Sequence, residues 1–169
     1  MKKHILRTLA LVCLIAMMLS LSGTASAKTA QLSSTQNFLD FLDKKGIKYT
    51  YDGMGDGREE VTVSFTGDNF STLKCRLFFK DDCEEVSLRI WNIVEATAGK
   101  NRIYSTLNSI HNDYKFVKYV YDESDSTIQA ELDVYIDADH CGRSVYDSLM
   151  VMINLTDRDE VAELLHALE

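Results

Sequence analysis

The ten residues from 127 to 136 alternate between apolar and polar side chains, and this alternation constrains the fold more than any other feature of the sequence. The apolar series is Ile128, Ala130, Leu132, Val134 and Ile136, and the opposite series is Thr127, Gln129, Glu131, Asp133 and Tyr135. A period of two residues is typical of a β-strand that is buried on one face. An acidic loop at 122–126, a preceding strand and a helix beginning near Lys100 complete a helix–hairpin unit. We predict that the rest of the chain packs onto this unit.

Three more alternating segments lie upstream and predict strands at 60–66, 72–80 and 85–93. Their predicted inward residues are Val61, Val63 and Phe65, then Leu73, Cys75, Leu77 and Phe79, then Val86, Leu88 and Ile90. Short turns between consecutive strands indicate antiparallel neighbours. A shorter strand is predicted at 47–51, and the glycine-rich stretch at 52–57 predicts a turn.

Helices are predicted at both ends of the folded part. The first carries its apolar residues between 38 and 42, and Ser33 or Ser34 can supply its N-cap. The C-terminal segment carries two apolar stripes with a new cap at Thr156 or Asp157, so it forms either one bent helix or two in tandem.

The predicted order of elements is helix, four strands, helix, two strands, helix (α-β-β-β-β-α-β-β-α). Clustered strands with inserted helices are typical of the α+β class. We therefore expect an antiparallel sheet of about five to six strands with helices packed on one face. The sequence contains no proline and no sign of a second domain boundary, so residues 34–169 are predicted to form a single domain.

The N-terminus has the pattern of a secretory signal peptide. Lys2, Lys3 and Arg7 precede an apolar stretch at 9–21, and an A-x-A cleavage site ends at Ala27. The apolar stretch is too short to span a hydrocarbon core of about 30 Å. We predict a signal peptide at 1–27, a polar tether at 28–33, and a secreted, periplasmic or cell-envelope protein with no stable membrane anchor after cleavage.

The net charge of the chain narrows the classes of partner. The chain holds 26 acidic and 18 Lys and Arg residues, a net charge of −8, which disfavours nucleic acid and anionic membrane surfaces as partners. Export permits a disulfide, and three cysteines remain after signal cleavage. Cys75 alternates with inward residues and is predicted to lie in the core. If a bridge forms, Cys83 and Cys141 are the predicted pair.

The predicted outer face of the sheet carries the candidate binding residues. Phe78, Trp91 and Tyr135 are out of phase with their inward neighbours, and Arg89 shares their face. Large aromatic side chains on the solvent side of a sheet indicate a recognition surface for a protein or peptide, or for a second copy of the chain. The alternative is that a helix or the N-terminal strand covers these rings, or that they are scattered and inert.

An enzymatic alternative depends on Asp137, Asp139 and His140, which precede Cys141. Their side chains could hold a transition metal or place a nucleophile beside a base, as in a small hydrolase or metal-dependent enzyme.

The acidic hairpin loop is not predicted to bind calcium, because Thr127 stands where a calcium loop needs glycine. We therefore predict a non-enzymatic protein with no cofactor and no bound metal.

The stretch from Leu107 to Tyr119, LNSIHNDYKFVKY, followed by an acidic turn and an alternating strand, resembles the YbjN-like domain family. The similarity covers roughly residues 35–168, and the sequence departs from the family at His111, where asparagine is commoner. The fold of that family resembles the secretion chaperones of type III export systems. The family has no established active site, so the resemblance implies a partner-binding or regulatory role and supplies no catalytic residues.

Overall fold

The structure is a computed structural model that describes residues 29–80, 85–137 and 140–169. The predicted signal peptide, Cys83 and Asp139 lie outside the described residues. The helices are α1 (Ser33–Lys45), α2 (Lys100–Asp113), α3 (Cys141–Thr156) and α4 (Asp159–His166), and the strands are β1 (Tyr49–Gly55), β2 (Arg58–Phe65), β3 (Leu73–Lys80), β4 (Glu85–Glu95), β5 (Lys118–Asp122) and β6 (Thr127–Tyr135).

The six strands form one sheet in the order β1-β2-β3-β4-β6-β5, and every neighbouring pair is antiparallel. The predicted α+β class is therefore confirmed. A single cross-strand row links the centre of the sheet, since Val61 pairs with Leu77, Leu77 with Leu88 and Leu88 with Leu132. All four side chains point to the face that we call the inner face, and they match the predicted inward set.

The first hairpin is longer than the glycine-rich stretch suggested. β1 continues through the predicted turn, where Gly53 pairs with Glu60, and the turn itself is Asp56-Gly57. Both turn residues have positive φ, 53° and 71°. This conformation matches the right-handed twist of a two-residue hairpin, which is why Asp-Gly is favoured there.

The helices cover the inner face and close one apolar core with it. α2 contributes Ile103, Leu107 and Ile110, and α3 contributes Val145, Leu149, Met152 and Ile153. The Sγ atom of Cys75 on β3 lies 4.0 Å from the Sδ atom of Met152 on α3, which places α3 across the middle of the sheet. Within the described ranges, no helix combines the length and apolar composition needed to cross a lipid bilayer.

The C-terminal segment forms two helices in tandem, and Asp157 lies between them. The expectation that Thr156 or Asp157 caps the second helix is wrong, because Arg158 occupies the N-cap position of α4. The carboxylate of Asp157 instead accepts hydrogen bonds from the backbone N–H groups of Asp68, Asn69 and Phe70, at 2.8–3.0 Å. Asp157 therefore ties the helix junction to the turn between β2 and β3.

The N-terminus of α1 is held by a buried carboxylate from the sheet. Neither Ser33 nor Ser34 caps the helix, because Leu32 occupies the N-cap position and no side chain of α1 bonds there. Glu59 on β2, which is fully buried, accepts hydrogen bonds from the backbone N–H groups of Gln31 (2.8 Å) and Leu32 (3.1 Å) and from the Tyr51 hydroxyl. A negative charge at this end of a helix is favourable because the helix dipole is positive there.

Burial on its own raises the pKa of Glu59, but the hydrogen bonds from Tyr51, Gln31 and Leu32 outweigh it and hold the pKa below its ordinary value of 4.5. A carboxylate whose pKa is lowered by folding stabilises the protein above its unfolded-state pKa. That contribution is lost as the pH falls through the folded-state value.

Glu59→Gln is expected to lower the free energy of unfolding at neutral pH by about 1–3 kcal/mol, because a buried charge-assisted hydrogen-bond network is broken. Urea denaturation at a series of pH values should show a smaller acid-induced loss of stability in this variant than in the wild type. Glu95→Gln, at an exposed position on β4, is the control and should change stability by less than about 0.5 kcal/mol. Parallel pH profiles for Glu59→Gln and wild type would contradict the role assigned to Glu59.

Candidate functional site

Phe78 and Trp91 lie on the outer face of the sheet, but only Trp91 is open to solvent. Trp91 is 42% exposed, whereas Phe78 is 4% exposed. The expectation that Phe78 presents bare aromatic surface is therefore wrong. Two arginine side chains lie over it: the guanidinium carbon of Arg58 lies 4.4 Å from the ring centroid, and that of Arg76 lies at 5.4 Å. Arginine stacks on an aromatic face through cation–π attraction, and its planar group covers the ring.

The outer face is occupied by ion pairs within the sheet. Arg76 stacks on Trp91 at 4.1 Å and donates from Nη2 to Glu60 Oε2 at 2.5 Å. This hydrogen bond holds the pKa of Glu60 below its ordinary value. Arg89 Nη2 lies 2.8 Å from Asp133 Oδ1, and its Nη1 donates to the Leu88 carbonyl at 2.8 Å. Arg89, a predicted binding residue, therefore bonds within the sheet and presents little free charge to a partner.

Tyr135 is the most exposed of the predicted aromatic residues, at 86%, but it does not join Trp91 in one patch. Tyr135 pairs with Glu85, which is six residues along β4 from Trp91. Six residues of strand span about 20 Å. The structure therefore splits the predicted recognition surface into a Phe78–Trp91 cluster and a separate site around Tyr135.

The site around Tyr135 exists because β5 is shorter than β6. The β5–β6 ladder runs from Asp122 paired with Thr127 to Lys118 paired with Glu131 and stops there. Phe116, two residues before Lys118, has a φ of 78°, a left-handed conformation that few side chains adopt and that turns the chain away from an extended path. Among the described residues, nothing pairs with 132–135 of β6 on the β5 side.

An apolar groove of about 440 Å³ lies between this unpaired end of β6 and helix α3. We call it the β6 groove, and its lining residues are Phe116, Leu132, Asp133, Val134, Tyr135, Asp147, Ser148 and Val151. Phe116 is 81% exposed and Val151 is 48% exposed. The charged residues among the lining are both acids. The groove therefore combines a strand end that is unpaired on the β5 side, exposed rings and two acidic residues that form ion pairs with Arg89 and Arg143.

The chain directly after Phe116 is anchored to α2 and α3. Val117 is buried, and the backbone N–H of Tyr119 donates to Nε2 of His111 at 2.8 Å. Burial and the nearby Lys118 lower the pKa of His111, which favours the neutral ring that this acceptor role requires. The Tyr119 hydroxyl lies 3.2 Å from Thr156 Oγ1 at the end of α3. His111, the position where the sequence departs from the YbjN-like family, therefore supports the strand that begins beside the groove.

Of the residues of the enzymatic alternative, the structure describes Asp137 and His140, and these two form an exposed pair. His140 Nδ1 lies 3.5 Å from Asp137 Oδ2, and both side chains are exposed. Cys141 is a free thiol that is buried against α1, with Sγ 3.2 Å from the Ser34 carbonyl, and burial raises its pKa to about 11. Burial likewise raises the pKa of Cys75 to about 12. These thiols are therefore poor nucleophiles. The predicted pairing of Cys141 with Cys83 stays a prediction, because Cys83 lies outside the described residues.

Across the described ranges, no group of three or more His, Cys, Asp or Glu side chains converges in a way that could hold a metal ion. A scan against protein-family models finds no match for this chain. A search of the curated proteins finds no significant relative. The resemblance to the YbjN-like family therefore stays a prediction, and the functional argument depends on the geometry of the β6 groove.

The two predicted aromatic residues with opposite environments should respond differently to truncation. Phe78→Ala is expected to lower the free energy of unfolding by about 3 kcal/mol, because it removes a buried ring and the cation–π contacts that two arginine side chains make with it. Tyr135→Ala should change it by less than about 0.5 kcal/mol, because the ring is almost fully solvated. Chemical denaturation of both variants measures the difference, and equal losses would show that the two environments are wrongly assigned.

Proposed function

We propose that this protein is an exported, non-enzymatic module that binds an extended protein or peptide segment in the β6 groove, in a chaperone-like or envelope-regulatory role. The observation that carries the proposal is the unpaired end of β6 at residues 132–135, which lies beside an apolar groove. A strand with free backbone groups can accept one more strand, and the groove beside it can receive alternate side chains of that strand.

The chemistry of the lining supports an extended ligand with apolar side chains. Phe116, Tyr135 and Val151 all present exposed apolar surface around the groove. Burial of such surface provides the driving force, at about 25 cal/mol per Å². Main-chain hydrogen bonds to β6 fix the ligand as a strand, because every second residue of an added strand directs its N–H and C=O groups at the edge.

A second copy of the chain is a weaker candidate for the ligand than a separate peptide. Each copy carries a net charge of −8, and the charged residues lining the groove, Asp133 and Asp147, are both acidic. Asp133 and Asp147 are paired with Arg89 and Arg143, so the repulsion between two copies comes from their net negative charge. The four residues 132–135, which are unpaired only on the β5 side, also offer less surface than the roughly 1,200 Å² that a stable interface buries.

The hydrolase alternative has less support. Asp137 and His140 are exposed neighbours in a loop, and the Cys141 thiol faces the Ser34 carbonyl. An active site needs a concave place where nucleophile, base and stabilising groups converge on one substrate atom. The resemblance to the YbjN-like domain also favours partner binding over catalysis.

The proposal is tested by affinity selection from a soluble library of random octapeptides, with protein-bound peptides identified by mass spectrometry. We expect enriched peptides with apolar residues at alternate positions, because a strand places every second side chain on one side. Hydrogen exchange of the amides in 132–135 should slow when such a peptide is bound. Failure to enrich any peptide, or enrichment without added protection in 132–135, would refute the proposal.

Val151→Asp should lower the affinity for the selected peptides at least tenfold, because it places a charge in the apolar lining of the groove. Asn154→Asp adds the same charge at an exposed position of α3 outside the lining and serves as the matched control. Fluorescence anisotropy with a labelled selected peptide measures both affinities. Equal affinities for the two variants would place the peptide elsewhere on the surface.

A further inference from the structure

A second depression, of about 390 Å³, lies between α1 and α3, and we call it the basic depression. Its lining residues are Phe41, Lys44, Lys45, Arg143 and Asp147. The two helices approach closely because Gly142 has no side chain: a Cβ there would lie 2.7 Å from the Asn37 carbonyl oxygen and 2.9 Å from Phe41 Cβ. The Gly142 N–H also donates to Asn37 Oδ1 at 2.7 Å, which fixes the crossing.

The charge of this depression is opposite to that of the whole chain. Three of its lining residues are cations and one is an acid, in a protein with 26 acidic and 18 Lys and Arg residues. Arg143 Nε lies 3.4 Å from Asp147 Oδ2. Neither Lys44 nor Lys45 forms an ion pair within the part of the chain that the structure describes. The ammonium of Lys45 lies 5.4 Å from the ring centroids of both Phe41 and Tyr146.

The basic depression and the β6 groove are adjacent along α3. Asp147 lines both of them, and Arg143, Asp147 and Val151 follow one another at intervals of four residues, which places them on one side of the helix. Eight residues separate Arg143 from Val151, a rise of about 12 Å. An extended peptide covers that distance with roughly four residues.

We propose that the basic depression binds the C-terminal carboxylate of the peptide whose last residues lie in the β6 groove. This inference rests on the proposed function and names its ligand class, a free chain end with apolar side chains. Three cations beside one acid leave an excess of about two positive charges, which suits the single charge of a carboxylate. Arg143 can bind both carboxylate oxygens through its planar guanidinium, and Lys44 and Lys45 add ammonium donors.

The test compares each library-selected octapeptide in two synthetic forms, with a free carboxyl terminus and with a C-terminal amide. We expect amidation to weaken binding to the wild-type protein about tenfold. In the double variant Lys44→Gln/Arg143→Gln, the free acid should bind about as weakly as the amide does, so amidation should change affinity less than twofold. Lys48→Gln, which removes an exposed cation outside the depression, should retain the wild-type response, and thermal denaturation confirms that each variant is folded.

The outcomes separate this inference from the proposed function. Equal affinity of acid and amide for the wild type overturns carboxylate binding and leaves peptide binding in the groove intact. An equal loss on amidation in the wild type and in the double variant shows that the carboxylate is bound at another place, which also overturns the inference. If no peptide is enriched in the first selection, the proposed function itself fails.

Discussion

The described helices cover one face of the sheet, and the rest of the structure follows from that asymmetry. Apolar side chains on the inner face need a cover, and the described helices α1 to α4 supply it in a single layer. Within the described ranges the outer face has no helix over it, and its charged side chains pair across strands, as Arg76 does with Glu60 and Arg89 with Asp133. A strand with one face in the core and the other in water needs apolar and polar side chains at alternate positions.

That period explains how much of the fold could be predicted. Alternation in β2, β3 and β4 assigned the inner face correctly, because the face of a strand residue depends only on its parity along the strand. Burial of an outer-face residue depends on its neighbours across the sheet. Phe78 is covered by Arg58, which is distant in sequence, so no local pattern could reveal it. Glu59 was missed for the same reason, since it bonds to Gln31 and Leu32 across the start of the domain.

The candidate site was harder to predict than the fold. Tyr135 was selected from its parity, but the groove around it depends on where β5 ends. Phe116 adopts a positive φ there without the glycine or asparagine that usually marks such a conformation. The basic depression joins α1 to α3 across about a hundred residues of sequence. Conversely, Asp137 and His140 are neighbours in sequence, and proximity along the chain did not bring them into a reactive geometry.

The unpaired end of β6 also has a consequence for the protein at high concentration. A bare strand edge beside exposed rings is a template for uncontrolled strand-to-strand association, which can grow into insoluble aggregates. The net charge of −8 opposes this, because separate copies of the chain repel one another. Dissolved salt weakens repulsion between charges on separate molecules beyond about 8–10 Å. We therefore expect the solubility of this protein to fall as ionic strength rises.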